Sequence, residues 1–312
     1  MEYSKLGPTD MDVSRVVFGC WAIGGHGWGP VDDEESIAAI HRALELGINF
    51  FDTADTYGFG HSEEILSRAL GEQRKHVVVA TKFGIKWDAQ GRITRDISQA
   101  RVFEALDASL RRLKLDCIPL YQIHWPDGST PISSTLEALM RCQKAGKIRW
   151  IGVSNFPPDM ILEALKTHQI VSAQAPYNLV DRKVESTILP SCKKLGLSVL
   201  AYSALAQGLL TGKYGPETQF DEGDIRSRSV YFHPEKYEAN AKMLTRLKEV
   251  GEKYGKAPSQ VAIRWLLDSQ STVFPITGVK TQEQIEENVG ALHWRLSEED
   301  RKLLCMVEFD PK

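Results

Sequence analysis

The chain has 312 residues, which is enough for one large α/β domain or for two domains of ordinary size. Its 42% hydrophobic and 25% charged residues are typical of a globular enzyme. A net charge of −3 provides neither a basic surface for nucleic acid nor an acidic tail, so we expect no nucleic-acid partner.

Targeting signals are also missing from the sequence. No apolar run approaches the roughly 20 residues that a membrane helix needs, and the N-terminus lacks the basic-then-apolar order of a signal peptide. We therefore expect a cytoplasmic protein without a membrane partner; the sequence does not indicate an oligomeric state. The cysteines are scattered, odd in number and without a Cys-x-x-Cys pair: Cys20, Cys117, Cys142, Cys192 and Cys305. We interpret them as reduced structural thiols, and we predict no metal site because no group of residues has metal-ligand spacing.

The first predicted element is a short hairpin of residues 3–6 and 11–13, placed to close the bottom of the structure that follows. Eight runs rich in Val, Ile and Phe then alternate with stretches of helical spacing, a pattern typical of βα units around a parallel sheet. The runs are residues 16–19, 49–52, 77–81, 118–124, 148–153, 171–174, 198–202 and 273–276. Eight strands with helices between them predict a (β/α)8 TIM barrel rather than an open sheet.

Glycines mark the predicted helix ends. Ile37, Ile40 and Leu44 form one apolar helix face, and Gly47 is placed to supply the left-handed cap that ends this helix. Gly196 is expected to end a later helix in the same way.

One connection, residues 203–271, is far longer than a single helix requires. It contains a polar, glycine-bearing loop and two predicted helices, at residues 235–254 and 258–268. We interpret residues 203–234 as a long loop over the active-site face rather than as a disordered segment. A final helix at residues 296–307 lies outside the barrel, and the absence of a linker predicts that residues 1–312 form a single domain.

Four polar side chains follow predicted strands at the end of the barrel where active sites lie. Asp52 closes the second strand and Tyr57 follows it, Lys82 ends the third strand, and His124 closes the fourth. Each residue alone has a simpler interpretation, as a loop cap, a core aromatic, a surface lysine and a core histidine respectively. Their convergence at one mouth favours a catalytic function.

The chemistry of this group follows from the proton, charge or hydrogen-bond donor that each side chain carries. A tyrosine has a proton to give at neutral pH, and the ammonium of Lys82 would lower the pKa of Tyr57 and make it a better acid. Asp52 is a partner for the buried ammonium, and His124 has an N–H to orient the same substrate oxygen. The group would protonate a carbonyl oxygen, but the sequence offers no nucleophile, so a bound cofactor is expected to supply the reducing equivalent.

The next strand ends carry groups suited to a cofactor. Ser154, Asn155 and Gln174 are neutral hydroxyl and amide groups that fit a carboxamide, and Tyr202 offers a flat face for stacking. The alternative for Ser154 and Asn155 is that they cap the helix that begins near Pro157, and both interpretations stay open.

An anion site is predicted after the eighth strand. Gly278 and Lys280 precede a helix on which Gln284 and Asn288 lie one and two turns further on. A helix N-terminus beside a lysine is favourable for an anionic group.

Several motifs in order resemble the aldo-keto reductase family over nearly the whole chain, most closely its bacterial general-stress and inositol-operon type members. The motifs are Asp52-Thr53-Ala54-Asp55-Thr56-Tyr57-Gly58, Ala80-Thr81-Lys82, Gln122-Ile123-His124-Trp125, Gly152-Val153-Ser154-Asn155-Phe156, Ala201-Tyr202-Ser203 and Gly208-Leu209-Leu210-Thr211-Gly212-Lys213. The resemblance implies a barrel that reduces aldehydes or ketones with NAD(P)H, with Tyr57 as the proton donor, Lys82 and Asp52 tuning it, and His124 orienting the carbonyl.

The resemblance also implies the cofactor contacts. Ser154, Asn155 and Gln174 would hold the carboxamide, and Tyr202 would stack on the nicotinamide. The pyrophosphate would lie on Ser203, Leu205, Gln207 and Gly208. Lys280, following Gly278, would face the 2′-phosphate, with Gln284 and Asn288 near the adenosine. Relatives often carry arginine at the position of Lys280, so NADP(H) is predicted with NAD(H) as the alternative.

The substrate pocket is expected to be apolar. Trp21, Trp28, Phe83, Trp87 and Trp125 follow strands one, three and four, where their rings would line the mouth, although simple loop packing is the alternative for each.

Three functions are therefore compatible with the sequence. The first is NADPH-dependent reduction of small carbonyl substrates, and the second is an NAD-linked sugar or polyol dehydrogenase. The third is a cofactor-binding regulatory subunit similar to potassium-channel β subunits.

Overall fold

A computed structural model describes residues 1–88, 90–215 and 217–306. The chain begins with an antiparallel hairpin, β1 (Tyr3–Lys5) and β2 (Asp12–Ser14). The eight predicted runs form parallel strands: β3 (Val17–Gly19), β4 (Phe50–Asp52), β5 (Val78–Phe83), β8 (Ile118–Ile123), β9 (Ile148–Ser154), β10 (Ser172–Pro176), β11 (Ser198–Tyr202) and β12 (Val273–Gly278). They close in the order β10-β11-β12-β3-β4-β5-β8-β9, which confirms the predicted (β/α)8 barrel.

The barrel interior is closed at one end by the N-terminal hairpin. Leu6, Met11 and Val13 are buried, and they belong to one cluster with inward residues near the starts of the strands, such as Val17 and Phe50. The predicted plug at the bottom of the barrel is therefore confirmed. Because this end is filled with apolar side chains, the opposite end is left for polar groups.

The described residues form ten α-helices. They are α1 (Asp33–Glu45), α2 (His61–Leu70), α3 (Gln99–Leu113), α4 (Ile132–Lys144), α5 (Pro158–Thr167), α6 (Ile188–Leu195), α7 (Tyr237–Tyr254), α8 (Pro258–Ser269), α9 (Gln282–Val289) and α10 (Glu298–Cys305). Gly196, with a φ of 69°, is the left-handed cap of α6, as predicted. None of these helices is both long and apolar enough to cross a membrane.

The end of the chain differs slightly from the predicted final helix. Ser297 caps α10 by accepting a hydrogen bond from the Asp300 N–H, so the helix begins two residues later than Leu296. Val307, the predicted last residue, lies outside the described residues.

The sequence analysis missed a second antiparallel hairpin, β6 (Ile85–Trp87) and β7 (Ile93–Arg95), which follows β5. Each strand has three residues, and all three residues of β7 are exposed. Periodicity detects strands through a buried face, so a short exposed ribbon at the rim gives no such signal.

The long connection after β11 contains short 3-10 turns, Ala206–Thr211, Ile225–Arg228, Val230–Phe232 and Pro234–Lys236, before α7 and α8. The Ile225 N–H donates to the Gly27 carbonyl at 2.9 Å, and Gly27 belongs to the connection between β3 and α1. The two connections therefore meet across the active-site end of the barrel.

Candidate active site

The lysine at the end of β5 is the centre of the site. Its ammonium donates to Asp52 Oδ2 at 2.7 Å, to the Thr53 carbonyl at 2.8 Å and to the Tyr57 hydroxyl at 3.1 Å. Lys82 is fully buried and Asp52 nearly so. Because strand register places Asp52 opposite Ala80, two residues before Lys82, the carboxylate and the ammonium emerge at neighbouring heights of the barrel.

The buried lysine keeps its positive charge. Burial lowers the pKa of Lys82, but attraction to Asp52 and to Tyr57 outweighs it, so the net pKa is raised above the usual value. For Tyr57, burial raises the pKa and the Lys82 ammonium opposes this increase without reversing it. The expectation of a net lowered tyrosine pKa was wrong, because desolvation of the phenolate exceeds the attraction to one paired ammonium. Tyr57 therefore holds its proton at neutral pH.

The histidine at the end of β8 lies against the tyrosine. The rings of His124 and Tyr57 are 5.9 Å apart between centroids and nearly perpendicular, at 81°. Burial, with a contribution from Lys82, holds the pKa of His124 well below its usual value. A neutral imidazole has one N–H donor, so His124 can orient an oxygen without adding charge.

The second carboxylate oxygen of Asp52 is held by two amides. Asp52 Oδ1 accepts from Gln174 Nε2 at 2.9 Å and from Gln122 Nε2 at 3.2 Å, and both amides are buried. Sequence reasoning assigned no role to Gln122. Alternation along the strand was the available signal, because Gln122 is two residues before His124 and therefore shares its face.

Asn155 connects the histidine to the next strands. Its Nδ2 donates to the His124 carbonyl and to Ser154 Oγ, both at 3.0 Å, and its Oδ1 accepts from the Tyr202 hydroxyl at 2.9 Å. Helix α5 is instead preceded by Pro157, with no side-chain cap. The alternative that Ser154 or Asn155 caps this helix was therefore wrong.

Most of these side chains line one cavity of about 650 Å³ at the C-terminal end of the barrel. Asp52, Tyr57 and His124 are in its wall, while Lys82 lies behind them. The wall also includes every residue predicted to contact the cofactor: Ser154, Asn155, Gln174, Tyr202, Ser203, Leu205, Gln207, Gly208, Gly278, Lys280, Gln284 and Asn288.

Three of the predicted tryptophans line the cavity. Trp21 is stacked on Tyr57 with ring centroids 5.8 Å apart, and Trp28 meets Trp21 edge-on at 5.2 Å. Trp125 also belongs to the wall. The reaction end of the cavity, as we call the region around Tyr57 and His124, is therefore largely aromatic.

The other two predicted aromatic residues are not in the cavity wall. Trp87 packs 5.7 Å from Phe59, which does line the cavity, and Phe83 is buried against Tyr121 at 5.0 Å. Phe83 is the last residue of β5 and points away from the barrel mouth, whereas Lys82 beside it points inward, as strand alternation requires.

At the far end of the cavity, which we call the tail end, the lysine after β12 is engaged. Lys280 Nζ donates to the Trp28 carbonyl at 2.6 Å, and its N–H donates to Gln284 Oε1 at 2.8 Å. Burial lowers the pKa of Lys280, and so does the nearby Arg226. Arg226 lines the cavity from the long loop and is ion-paired with Asp224; no sequence pattern indicated it.

The tail end fits a dinucleotide. Gln207 Oε1 and Asn288 Nδ2 are buried in the wall without a hydrogen-bond partner in the described part of the chain, so they offer an acceptor and a donor to a ligand. Ser203, Ala206 and Gln207 adopt left-handed backbone conformations, with φ between 48° and 56°, where the chain bends around the cavity. Such concave backbone can bind phosphate through its N–H groups.

The chain is similar to known proteins over nearly its whole length. The model of the aldo/keto reductase family matches residues 15–305. The chain belongs to this family. It is therefore an oxidoreductase of a class that acts on small carbonyl compounds, as the resemblance implied.

Individual members of the family are similar along their whole length. An NADH-specific methylglyoxal reductase of Escherichia coli is 36% identical over 319 residues, covering 97% of each chain. An aldo-keto reductase of Schizosaccharomyces pombe, whose name specifies NADP(+), is 33% identical over 92% of this chain and 86% of its own. The solved glycerol dehydrogenase of Gluconobacter oxydans has a TM-score of 0.92 and 38% identity, covering 99% of this chain and 98% of its own.

Proposed function

We propose that the protein reduces aldehydes or ketones to alcohols with NADPH, using Tyr57 as the proton donor. The observation that carries the proposal is the Tyr57 hydroxyl, 3.1 Å from a buried ammonium and beside a neutral histidine in an aromatic cavity. NADPH, when bound, supplies a hydride to the carbonyl carbon. The groups that would orient and protonate the substrate oxygen are side chains of this chain.

The proton comes from the tyrosine. As negative charge develops on the substrate oxygen, Tyr57 donates its proton, and the resulting phenolate is stabilised by Lys82. Asp52 keeps this lysine charged, and Gln122 and Gln174 hold the carboxylate in place. A proton donor that is fully protonated at rest is ready for reduction at neutral pH.

We propose that the cofactor is held by the cavity residues that the family resemblance indicated. Ser154 and Asn155 would hold the carboxamide, together with the Gln174 oxygen, which remains an acceptor while its amide nitrogen binds Asp52. Tyr202 would present its ring face to the nicotinamide. At the tail end, Lys280 would bind the 2′-phosphate.

The test is NADPH oxidation with an activated aromatic aldehyde, comparing wild type with Tyr57→Phe. Loss of the proton donor should lower kcat by about 10²–10⁴-fold while NADPH still binds. Tyr202→Phe is the matched control, because it also removes a cavity hydroxyl but not the proton donor, and its loss should be much smaller. Equal kcat in wild type and Tyr57→Phe would contradict the proposed mechanism.

Polyol oxidation is a second candidate, favoured by the similarity to a glycerol dehydrogenase. The same groups would then act in reverse, with Tyr57 accepting the alcohol proton. Rates with glycerol and NAD(+) or NADP(+), set against carbonyl reduction, decide between the two directions. The relatives named for NADH and for NADP(+) support testing both cofactors.

We further propose that residues 1–312 act as one domain, with the loop of residues 203–234 closing over the bound cofactor. The contact between Ile225 and Gly27 supports this, because it already joins the loop to the opposite rim of the cavity. NADPH should protect the loop from limited proteolysis, and cleavage at an unchanged rate would contradict closure.

A cytoplasmic location is also proposed, supported by the five unpaired cysteines. Cell fractionation that finds the protein in another compartment would contradict it.

A further inference from the structure

The β6–β7 hairpin presents one face to the reaction end of the cavity. Ile85 and Ile93, one from each strand, both line the cavity. Arg95 pairs with Ile85, and cross-strand partners project from the same face of an antiparallel ribbon. Arg95 therefore lies on the same face of the ribbon as Ile85 and Ile93, beside the cavity wall rather than in it. Lys86 and Thr94, which pair with each other, lie on the opposite face.

A tryptophan of the cavity wall holds the arginine. The guanidinium carbon of Arg95 lies 4.4 Å from the centre of the Trp125 ring. A guanidinium stacked on a ring keeps its in-plane N–H donors available for another partner. Among the described residues, no acidic side chain forms an ion pair with Arg95; the acid of the hairpin tip, Asp88, pairs with Arg92 instead.

The reaction end contains no acid that could compete for this cation. The acidic residues of the cavity wall, among those described, are Asp52, which is bound to Lys82, and Glu287, which belongs to α9 beside Asn288. The charge of Arg95 is also felt at the reacting groups, because after burial and Lys82 it is the next cause of the lowered His124 pKa.

Aromatic side chains line the cavity wall near the proton donor. Trp125 directly follows His124 in the chain, and its ring carries the stacked guanidinium of Arg95. Trp21 and Phe59 line the same region. The site thus combines a proton donor, an aromatic wall and an outer cation with free donors.

We propose that Arg95 is a specificity-determining residue that selects carbonyl substrates carrying a carboxylate. The carbonyl would lie at Tyr57 and His124, the apolar body along the aromatic wall, and the carboxylate on the Arg95 guanidinium, whose planar fork matches carboxylate geometry. This inference rests on the proposed function and deepens it by naming a substrate class.

The experiment compares 4-carboxybenzaldehyde with 4-nitrobenzaldehyde, which has the same shape but no net charge, and repeats the anionic arm with 3-carboxybenzaldehyde. The quantity measured is the ratio of kcat/KM for the anionic aldehyde to kcat/KM for the neutral one. A ratio cancels general losses of activity or folding. Arg95→Met is the test variant, and Lys86→Met is the control, because it removes one positive charge from the other face of the same hairpin.

The ratio should fall about tenfold in Arg95→Met for the better of the two carboxylate isomers, as for one lost charge-assisted contact. It should be restored in part by Arg95→Lys and be unchanged in Lys86→Met. Added salt should lower the ratio of the wild type but not that of Arg95→Met.

Two results would overturn the inference while leaving carbonyl reduction intact. One is an unchanged ratio in Arg95→Met, and the other is an equal fall in Lys86→Met, which would indicate general electrostatic steering. If wild type reduced neither the charged nor the neutral aldehydes, the proposed function itself would fail, and this inference with it.

Discussion

The two ends of the cavity are built differently. At the reaction end, Asp52, Lys82 and His124 come from barrel strands or the residue directly after one, Tyr57 comes from the turn after β4, and Lys82 is fully buried with three hydrogen-bond partners. At the tail end, loops and α9 supply the groups, and Gln207 and Asn288 have buried polar atoms without a partner in the described chain. The charges of Asp52 and Lys82 are thus paired before a ligand binds, whereas polar atoms remain open at the tail end and at His124 Nδ1.

The reaction end and the tail end differ in how their residues are held: barrel strands hold the reacting groups, whereas loops carry groups that can affect selectivity. Strand hydrogen bonds set the heights of Asp52 and Lys82, so the buried ion pair is fixed by the barrel itself. The long loop and the β6–β7 hairpin carry Arg226 and Arg95, whose positions can change without disturbing the barrel. Substrate and cofactor preference can therefore vary on a constant reaction centre.

The largest effect is expected for a substitution that disrupts the reaction end. Lys82→Met leaves the Asp52 carboxylate buried without its cation, so the free energy of unfolding should fall by about 3–5 kcal/mol. Because the phenolate also loses its stabilising charge, kcat should fall by about 10²-fold or more. Urea unfolding and steady-state kinetics measure the two effects.

Lys75→Met is the control for that variant, because Lys75 forms an exposed ion pair with Glu72 and such pairs contribute little. Equal stability losses in the two variants would show that the buried pair is not the structural centre of the reaction end.

A smaller effect is expected at the tail end. Lys280→Ala should weaken NADPH binding by roughly 1.5 kcal/mol, about tenfold, and leave NADH binding unchanged, because only NADPH carries the 2′-phosphate. Dissociation constants from fluorescence titration provide the measurement. Similar losses for both nucleotides would place Lys280 elsewhere than at the 2′-phosphate.

The smallest effect is expected for pH, because kcat/KM should stay nearly constant around neutral pH. The pKa of His124 is held well below 6.5 and that of Tyr57 is raised above 10.0 in the ligand-free protein. Reduction needs neutral His124 and protonated Tyr57. The value of kcat/KM should therefore stay flat between about pH 7 and pH 9, falling only when His124 gains a proton at lower pH or Tyr57 loses its proton at higher pH. An inflection of kcat/KM between pH 7 and pH 9 would contradict this prediction. It would show that another residue titrates, or that the bound cofactor changes the pKa of Tyr57.

Much of the fold was predictable because it depends on local patterns. The eight apolar runs, the cap at Gly196 and the hairpin plug could all be predicted, since periodicity and glycine placement indicate burial and helix ends directly. The positions of Asp52, Lys82 and His124 at strand ends were legible for the same reason.

Other features depend on pairings between distant segments. Alternation indicates which face Gln122 shares, but its contact with Asp52 across 70 positions of sequence depends on the order of the strands, with β5 between β4 and β8. So does the raised pKa of Tyr57, because the amount of desolvation depends on packing from several strands.

The sequence by itself determined the barrel and the end of it that carries the candidate site, because both rest on short-range spacing. Only the tertiary structure decided that Trp87 lies outside the cavity wall and that Arg95 stacks on Trp125, which belongs to that wall. The reason is that β6 and β7 are too short and too exposed to be recognised as strands, and the face on which a side chain lies is known only once its partner strand is known.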